Sequence, residues 1–212
     1  MTTEVASCVK KSRGRPKVFN REVALDKAMT LFWQHGYEAT SLSDLVEATG
    51  AKAPTLYAEF VNKEGLFRAV LDRYISRFAD KHEAQLFCEE KSVDAALYDY
   101  FRAVATCFTS KDTPAGCFMI NTSATLAASS KEIAHTIKSR HAMQEKTLCE
   151  FLTQRQSRGE IPADKCISDL AQFLNCILQG MSISAREGAS LDTLLQITDT
   201  TMRLWPQMLK SS

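Results

Sequence analysis

Residues 32–66 read FWQHGYEATSLSDLVEATGAKAPTLYAEFVNKEGL, and the spacing of apolar and turn-forming residues in that stretch decides the fold. Ser41 with Asp44 three residues on resembles a capping box, and Leu42, Leu45, Val46 and Ala48 supply an apolar face, so a short helix is predicted that Gly50 ends. A tight turn of Gly50, Ala51 and Lys52 leads to Pro54, acceptable in a first helical turn, and to a second short helix over Thr55–Phe60. Two short helices joined by a glycine turn form the helix-turn-helix signature. Upstream, Val23, Ala24, Ala28, Leu31 and Phe32 recur at three- and four-residue steps, with Asn20 as N-cap and Gly36 as a stop after His35. Downstream, Asn62 caps a longer helix whose stripe of Leu66, Phe67, Val70, Leu71, Tyr74 and Phe78 reaches about His82 and connects this unit to the rest of the chain.

The remainder of the chain is helical as well. Periodic patterns run over Val93–Phe108, Cys117–Leu126, Ser130–Arg158, Asp164–Gly188 and Leu191–Leu209, broken at Lys111–Gly116, Gly159–Pro162 and Gly188–Ser190. The expectation is an all-α chain of about nine helices with no strand and no internal repeat. It divides into a basic arm over 1–19, a three-helix unit over 20–65 and a larger helical unit over 66–212.

Composition narrows the class. A hydrophobic content of 45% is ample for a core, no stretch approaches the roughly 20 apolar residues of a membrane span, and the first twenty residues are polar and basic rather than a signal segment. A cytoplasmic protein with no membrane partner is expected. Cysteines at 8, 88, 107, 117, 149, 166 and 176 are odd in number and form no C-x-x-C pair, which favours reduced thiols over a disulfide framework or zinc module. The net charge of +1 hides a local cationic arm: Lys10, Lys11, Arg13, Arg15, Lys17 and Arg21 succeed one another with no acid between them. No Gly-rich phosphate loop, no H-E-x-x-H and no G-x-S-x-G is present, and the four histidines are scattered, so no enzyme and no cofactor are expected.

The pattern Phe32-x3-Gly36-Tyr37-x2-Thr40-Ser41-Leu42-x2-Leu45-x4-Gly50-x3-Pro54-Thr55-Leu56-Tyr57-x2-Phe60-x-Asn62-Lys63-x2-Leu66 closely resembles the DNA-binding domain of the TetR family, over about Val18 to Tyr74. The remaining two thirds are similar in helical layout and in the Gly116-Cys117-Phe118 entry to a helix, and overall the chain is similar to regulators linked to copper stress. The resemblance implies a dimeric repressor that binds a palindromic double-stranded operator and is released by an effector, whether a small molecule, a thiol-reactive compound or a soft metal. An architectural DNA-binding protein without an effector is the alternative.

Groove geometry selects the candidate DNA contacts, because the N-terminal residues of a recognition helix reach base edges. Thr55 offers a hydroxyl and a methyl, and Ala53 and Pro54 offer small apolar contacts. The resemblance places Tyr57 on phosphate. Lys63 and Lys52 are candidate phosphate ligands, Lys52 equally well a solvated side chain, and Thr40 or Ser41 could contribute a hydroxyl and backbone N–H at the start of a helix. Arg13-Gly14-Arg15-Pro16 resembles an AT-hook, in which arginines enter a narrow minor groove, or is a basic tail adding non-specific affinity.

In the second unit, core-facing positions Phe101, Val104, Cys107, Phe108, Cys117, Phe118, Asn121, Met143 and Cys176 are candidate effector-pocket walls. Cys117 stands at a helix start, where the dipole lowers a thiol's pKa, so it is either a reactive sensor, with Cys107 near it, or a buried inert thiol. Whether a metal binds stays open, since no ligand-spaced cluster is visible. The resemblance assigns the last two helices to a two-fold interface, with Phe173, Ile177, Gly180, Met181, Leu194, Leu195, Thr198, Met202 and Trp205 on its stripes.

Overall fold

The structure is a computed structural model that describes residues 19–126 and 131–210. Arg13 and Arg15 of the cationic arm lie outside the described residues. Among the described residues there are nine helices and no strand. They are α1 (Arg21–Ala39), α2 (Leu42–Thr49), α3 (Ala53–Phe60), α4, α5 (Val93–Phe108), α6 (Phe118–Thr125), α7 (Lys131–Ser157), α8 (Ile167–Arg186) and α9 (Leu191–Met208). Helix α4 is continuous but not uniform, running as Lys63–Tyr74, a π-helical segment Ile75–Ala79 and Asp80–Leu86.

The capping chemistry is as the sequence implies. Asn20 accepts from the Val23 amide at 3.1 Å, and Ser41 and Asp44 exchange both bonds of a capping box, at 3.1 and 2.7 Å. Gly50 lies in the left-handed region and ends α2. Helix α1 departs from expectation, because Gly36 does not end it but kinks it. Its φ of 82° and ψ of 169° are non-helical, a combination that only glycine adopts freely. The three residues beyond turn toward α2, and the Thr40 hydroxyl donates to the Gly36 carbonyl at 2.8 Å to hold the bend.

The joint between α3 and α4 is tighter still. Val61 sits at φ 68° and ψ −51°, and the Asn62 amide donates to the Phe60 carbonyl at 2.7 Å, closing a γ-turn on a β-branched residue. Gly65 packs its Cα against that same Phe60 carbonyl, where a Cβ would overlap the oxygen. Helix α3 is therefore fixed to the start of α4 with almost no slack.

An aromatic cluster welds the small N-terminal unit to the larger one. Trp33 of α1 meets Tyr74 edge-on at 5.1 Å and Phe78 at 5.7 Å, while Phe118 of α6 packs on Trp33, Phe67 and Tyr74 at 5.3–6.0 Å. Each such pair contributes about 0.5–1.5 kcal/mol beyond area burial. On the outer side Arg73 makes a fork to Asp26, 2.7 and 2.9 Å, and pairs with Glu22, while Arg77 reaches Asp26 at 3.0 Å. The hydrogen bonds from Arg73, with its charge and that of Arg77, hold the Asp26 carboxyl below its ordinary range.

At the far end of α4 a buried arginine closes the fold. Arg155 of α7 donates to the carbonyls of Cys88 and Lys91 at 2.9 and 2.7 Å and to Glu160 at 2.9 Å, while the other Glu160 oxygen accepts from the Val93 amide at 2.6 Å. One side chain thereby ties the α4–α5 loop, the start of α5 and the end of α7 together.

Candidate nucleic-acid interface and interior chamber

The helix-turn-helix presents a defined outer face because its apolar residues are used inward. Leu45, Leu56 and Phe60 are buried, while Lys52, Pro54 and Tyr57 are exposed and Ala53 and Thr55 are half-buried. Lys52 occupies the N-cap position of α3, where its donor-only ammonium can accept no cap bond. Lys63 is more constrained than a solvated lysine: its Nζ lies 4.4 Å over the Tyr37 ring and 3.4 Å from the Glu38 carbonyl. Burial lowers its pKa against the pull of Glu38 and Asp44. Glu59, an acid on α3, is matched by Arg21 of α1 at 2.7 Å, which offsets a charge that would repel phosphate.

Two residues take other roles than the sequence alone suggested. Thr40 is 1% exposed with its hydroxyl turned into the Gly36 bend, which removes that hydroxyl from the surface. The Ser41 hydroxyl is engaged with Asp44, leaving the exposed start of α2 to act through its backbone.

The second unit encloses a chamber of about 30 Å³ between α4, α5, α6, α7 and α8. Val104, Cys107, Phe108 and Cys117 line it, as do Tyr74, His82, Glu83, Tyr100, Gln144 and Asn175, none of which the sequence marks as a pocket wall. The missed residues are polar or aromatic positions brought together from separate helices, and no local spacing marks them. The remaining candidates lie elsewhere. Phe101 is core against Tyr100, Phe118 belongs to the aromatic weld, and the Asn121 amide bonds the Ala115 carbonyl. Met143, 58% exposed, and Cys176 are on the surface, because their helices turn other faces inward.

The electrostatics of the chamber favour the buried, inert reading of Cys117 over the reactive one. It does N-cap α6, its own amide donates to Ser182 Oγ at 2.7 Å, and its sulfur lies 3.3 Å from the Tyr74 hydroxyl. Burial nevertheless raises the thiol, outweighing the Tyr74 hydroxyl and the Ile120 and Met119 amides that favour thiolate. Cys107 is pushed up by burial and by Cys117 to about 11. Burial also raises Glu83 and lowers His82, so each of these groups is shifted toward its neutral form.

The expected outcome is that iodoacetamide at pH 8 modifies exposed Cys166 before buried Cys107 and Cys117, with Cys107 slowed about a hundredfold relative to an ordinary thiol by its raised pKa. Peptide mass spectrometry of a time course reads the order, and early labelling of Cys117 would contradict the burial argument. The same burial ties stability to pH. A thiol raised in the folded state stabilises fully below its ordinary value of 9.0, and for Cys107 that contribution is lost as pH rises through about 11.

The dimer candidates divide by burial. Met181, Leu194, Thr198 and Trp205 face the interior of their own chain, where α8 packs on α5 and α6 and α9 packs on α5. Phe173, Ile177, Leu195 and Met202 are half-buried, and Gly180 is exposed together with Cys176, Ile183 and Leu204. No described helix is long and apolar enough to cross a membrane, and among the described residues no group of three or more His, Cys, Asp or Glu could hold a metal ion.

Comparison with known proteins agrees with this geometry. A family model described as bacterial regulatory proteins, tetR family, matches residues 24–70, and one described as tetracyclin repressor-like, C-terminal domain, matches residues 95–195. The chain is similar to the HTH-type transcriptional repressor ComR of Escherichia coli (strain K12), 75% identical over 210 residues that cover 99% of this chain and 100% of ComR. It is also similar to the HTH-type transcriptional repressor BdcR of the same strain, 29% identical over 85% of this chain and 86% of BdcR. Among solved structures it is similar to a cysteine mutant of the TetR family transcriptional regulator CifR complexed with 26 bp double-strand operator DNA. That match has a TM-score of 0.86 and 30% identity, covering 91% of this chain and 100% of the other.

Proposed function

The chain belongs to the TetR family of bacterial regulatory proteins, and we propose that it acts in the cytoplasm as a homodimer that holds a palindromic operator and releases it when an effector enters the chamber. Its class is that of a DNA-binding transcriptional repressor rather than an enzyme. The observation that carries the reading is the helix-turn-helix itself. Its apolar residues are consumed in the core, and Lys52, Pro54 and Tyr57 are left on an outer face in a fold that matches a regulator complexed with operator DNA.

In this reading residues 20–65 read DNA, residues 66–212 bind effector and partner chain, and the arm over 1–19 adds Arg13 and Arg15 in the minor groove. Thr55, with Ala53 and Pro54, meets base edges; Tyr57, Lys52, Lys63 and the start of α2 at Ser41 meet phosphate. The partner chain covers Phe173, Ile177 and Gly180 of α8 and Leu195 and Met202 of α9, which a two-fold axis would place against themselves. The chamber is small, about 30 Å³. Pockets that hold small-molecule ligands are roughly 300 Å³ or larger, so such an effector has to force α4, α5 and α6 apart. In this reading the closed chamber belongs to the DNA-holding state.

Selection of duplexes from a random pool, then titration at several salt concentrations, tests the reading. Wild-type protein should enrich a palindromic site. Lys63→Ala should weaken binding to all sequences and lower the salt slope by about 1, and Tyr57→Phe should weaken binding without changing sequence preference. Wild-type affinity and slope in both variants would remove this face from the interface.

A further inference from the structure

Thr125, the last residue of α6, rests on the backbone of Gly36. A Cβ built on Gly36 would overlap Thr125 Oγ1 and stand 3.2 Å from Thr125 Cβ, so the two residues meet only because one of them has no side chain. The Thr125 hydroxyl bonds back to the Asn121 and Thr122 carbonyls of its own helix at 3.1 and 3.2 Å, which fixes its rotamer against that surface. Gly36 is the kink of α1, clamped from the other side by the Thr40 hydroxyl. The chain beyond the kink carries Tyr37, on which Lys63 is stacked, and Ser41, which opens α2. Its direction sets how the phosphate-facing elements are aimed.

The opposite end of α6 is in the chamber, where Cys117, Met119 and Ile120 form part of the wall. An eight-residue helix about 12 Å long therefore has the effector chamber at one end and the α1 hinge at the other. Resting on the proposed DNA-binding function, the geometry points to Thr125 as a positioning residue. It buttresses the Gly36 hinge, so that displacement of α6 at its chamber end is converted into a change in the aim of residues 37–41. Control of this kind acts on the orientation of each reading head.

The test uses the full chain as wild type, Thr125→Ala and Thr125→Ser, and the duplex that wild type enriches from a random pool. Thr125→Ala should lose about tenfold in affinity, within the range of coupling residues that touch neither ligand, and should show a shallower salt slope with a nearly unchanged melting temperature. Thr125→Ser keeps Cβ and Oγ and should restore both. Hydrogen exchange without DNA should show faster exchange over residues 36–41 in the alanine variant alone. Wild-type affinity and slope in Thr125→Ala overturn the proposal, as does an equal loss in Thr125→Ser or a rise in exchange spread over the whole chain. If wild type enriches no duplex, the DNA-binding reading fails, while the exchange measurement still decides whether Thr125 holds the hinge.

Discussion

Gly36→Ala is expected to abolish specific DNA binding, by about a hundredfold or more in affinity, and to cost about 3 kcal/mol in stability. Two independent penalties add. An alanine at φ 82° and ψ 169° is held in a region of about 1–3 kcal/mol of strain. Its methyl also has to displace Thr125 Oγ1, the kind of overpacking that costs about 1–3 kcal/mol where the neighbour is itself tethered. The chain can relieve both by straightening α1 into a regular helix, and that is the functional damage. Residues 37–41 would then leave the path that brings Tyr37, Lys63 and the α2 N-terminus to one face. Combining Gly36→Ala with Thr125→Gly separates the two penalties, because the second substitution removes the overlap and leaves the dihedral strain. Urea unfolding of the four proteins should show the double variant recovering roughly half of the stability loss. Full recovery would mean that the dihedral strain is negligible, and no recovery would mean that Thr125 is not in the way.

Arg155→Ala should be the most destabilising substitution in the second unit, at about 3 kcal/mol or more, while leaving the affinity of the folded fraction for DNA unchanged. The guanidinium is nearly fully buried, at 4% side-chain exposure, and serves three acceptors in two segments, the α4–α5 loop and the turn after α7. Removing it strands the Cys88 and Lys91 carbonyls and leaves the Glu160 carboxylate without its partner. The site lies beyond the far end of α4, about 36 Å along the helix from Asn62 by rise per residue, so the reading head should not sense the change. Arg155→Lys should not rescue, since one ammonium cannot reproduce the fork. The pH dependence gives a second signature. Burial works to raise Glu160, but the Arg155 and Val93 hydrogen bonds and the charges of Arg155 and Arg158 overrule it and hold the carboxyl below its ordinary 4.5. A group depressed in the folded state stabilises above its ordinary value and loses that contribution as pH falls through the folded one. Wild type should therefore lose part of its stability below pH 4.5, and Arg155→Ala should lose less over the same window. Equal acid sensitivity in the two proteins would show that Arg155 does not govern Glu160.

The sequence by itself determined everything that local chemistry controls. The Ser41–Asp44 cap, the left-handed Gly50 and the apolar steps of α1 to α3 act within a few residues of one another, so the helix-turn-helix and its outward Tyr57 are legible without a structure. The nine-helix layout is legible for the same reason, because a 3.6-residue period is a property of neighbours. Three matters were decided only in three dimensions. Gly36 reads as a stop but is a kink, because Thr125, 89 positions later, occupies the space where a side chain would be. Cys117 reads from the sequence either as an activated thiol, from its place at a helix start, or as a buried inert one. Its real environment is the buried side of Tyr74, where desolvation outweighs the helix amides. The stripes of α8 and α9 show which residues are apolar but not which partner covers them. Met181, Leu194 and Trp205 bury themselves within the chain, while Phe173, Ile177, Leu195 and Met202 stay partly open, because an amphipathic period specifies a face and only packing specifies what that face meets.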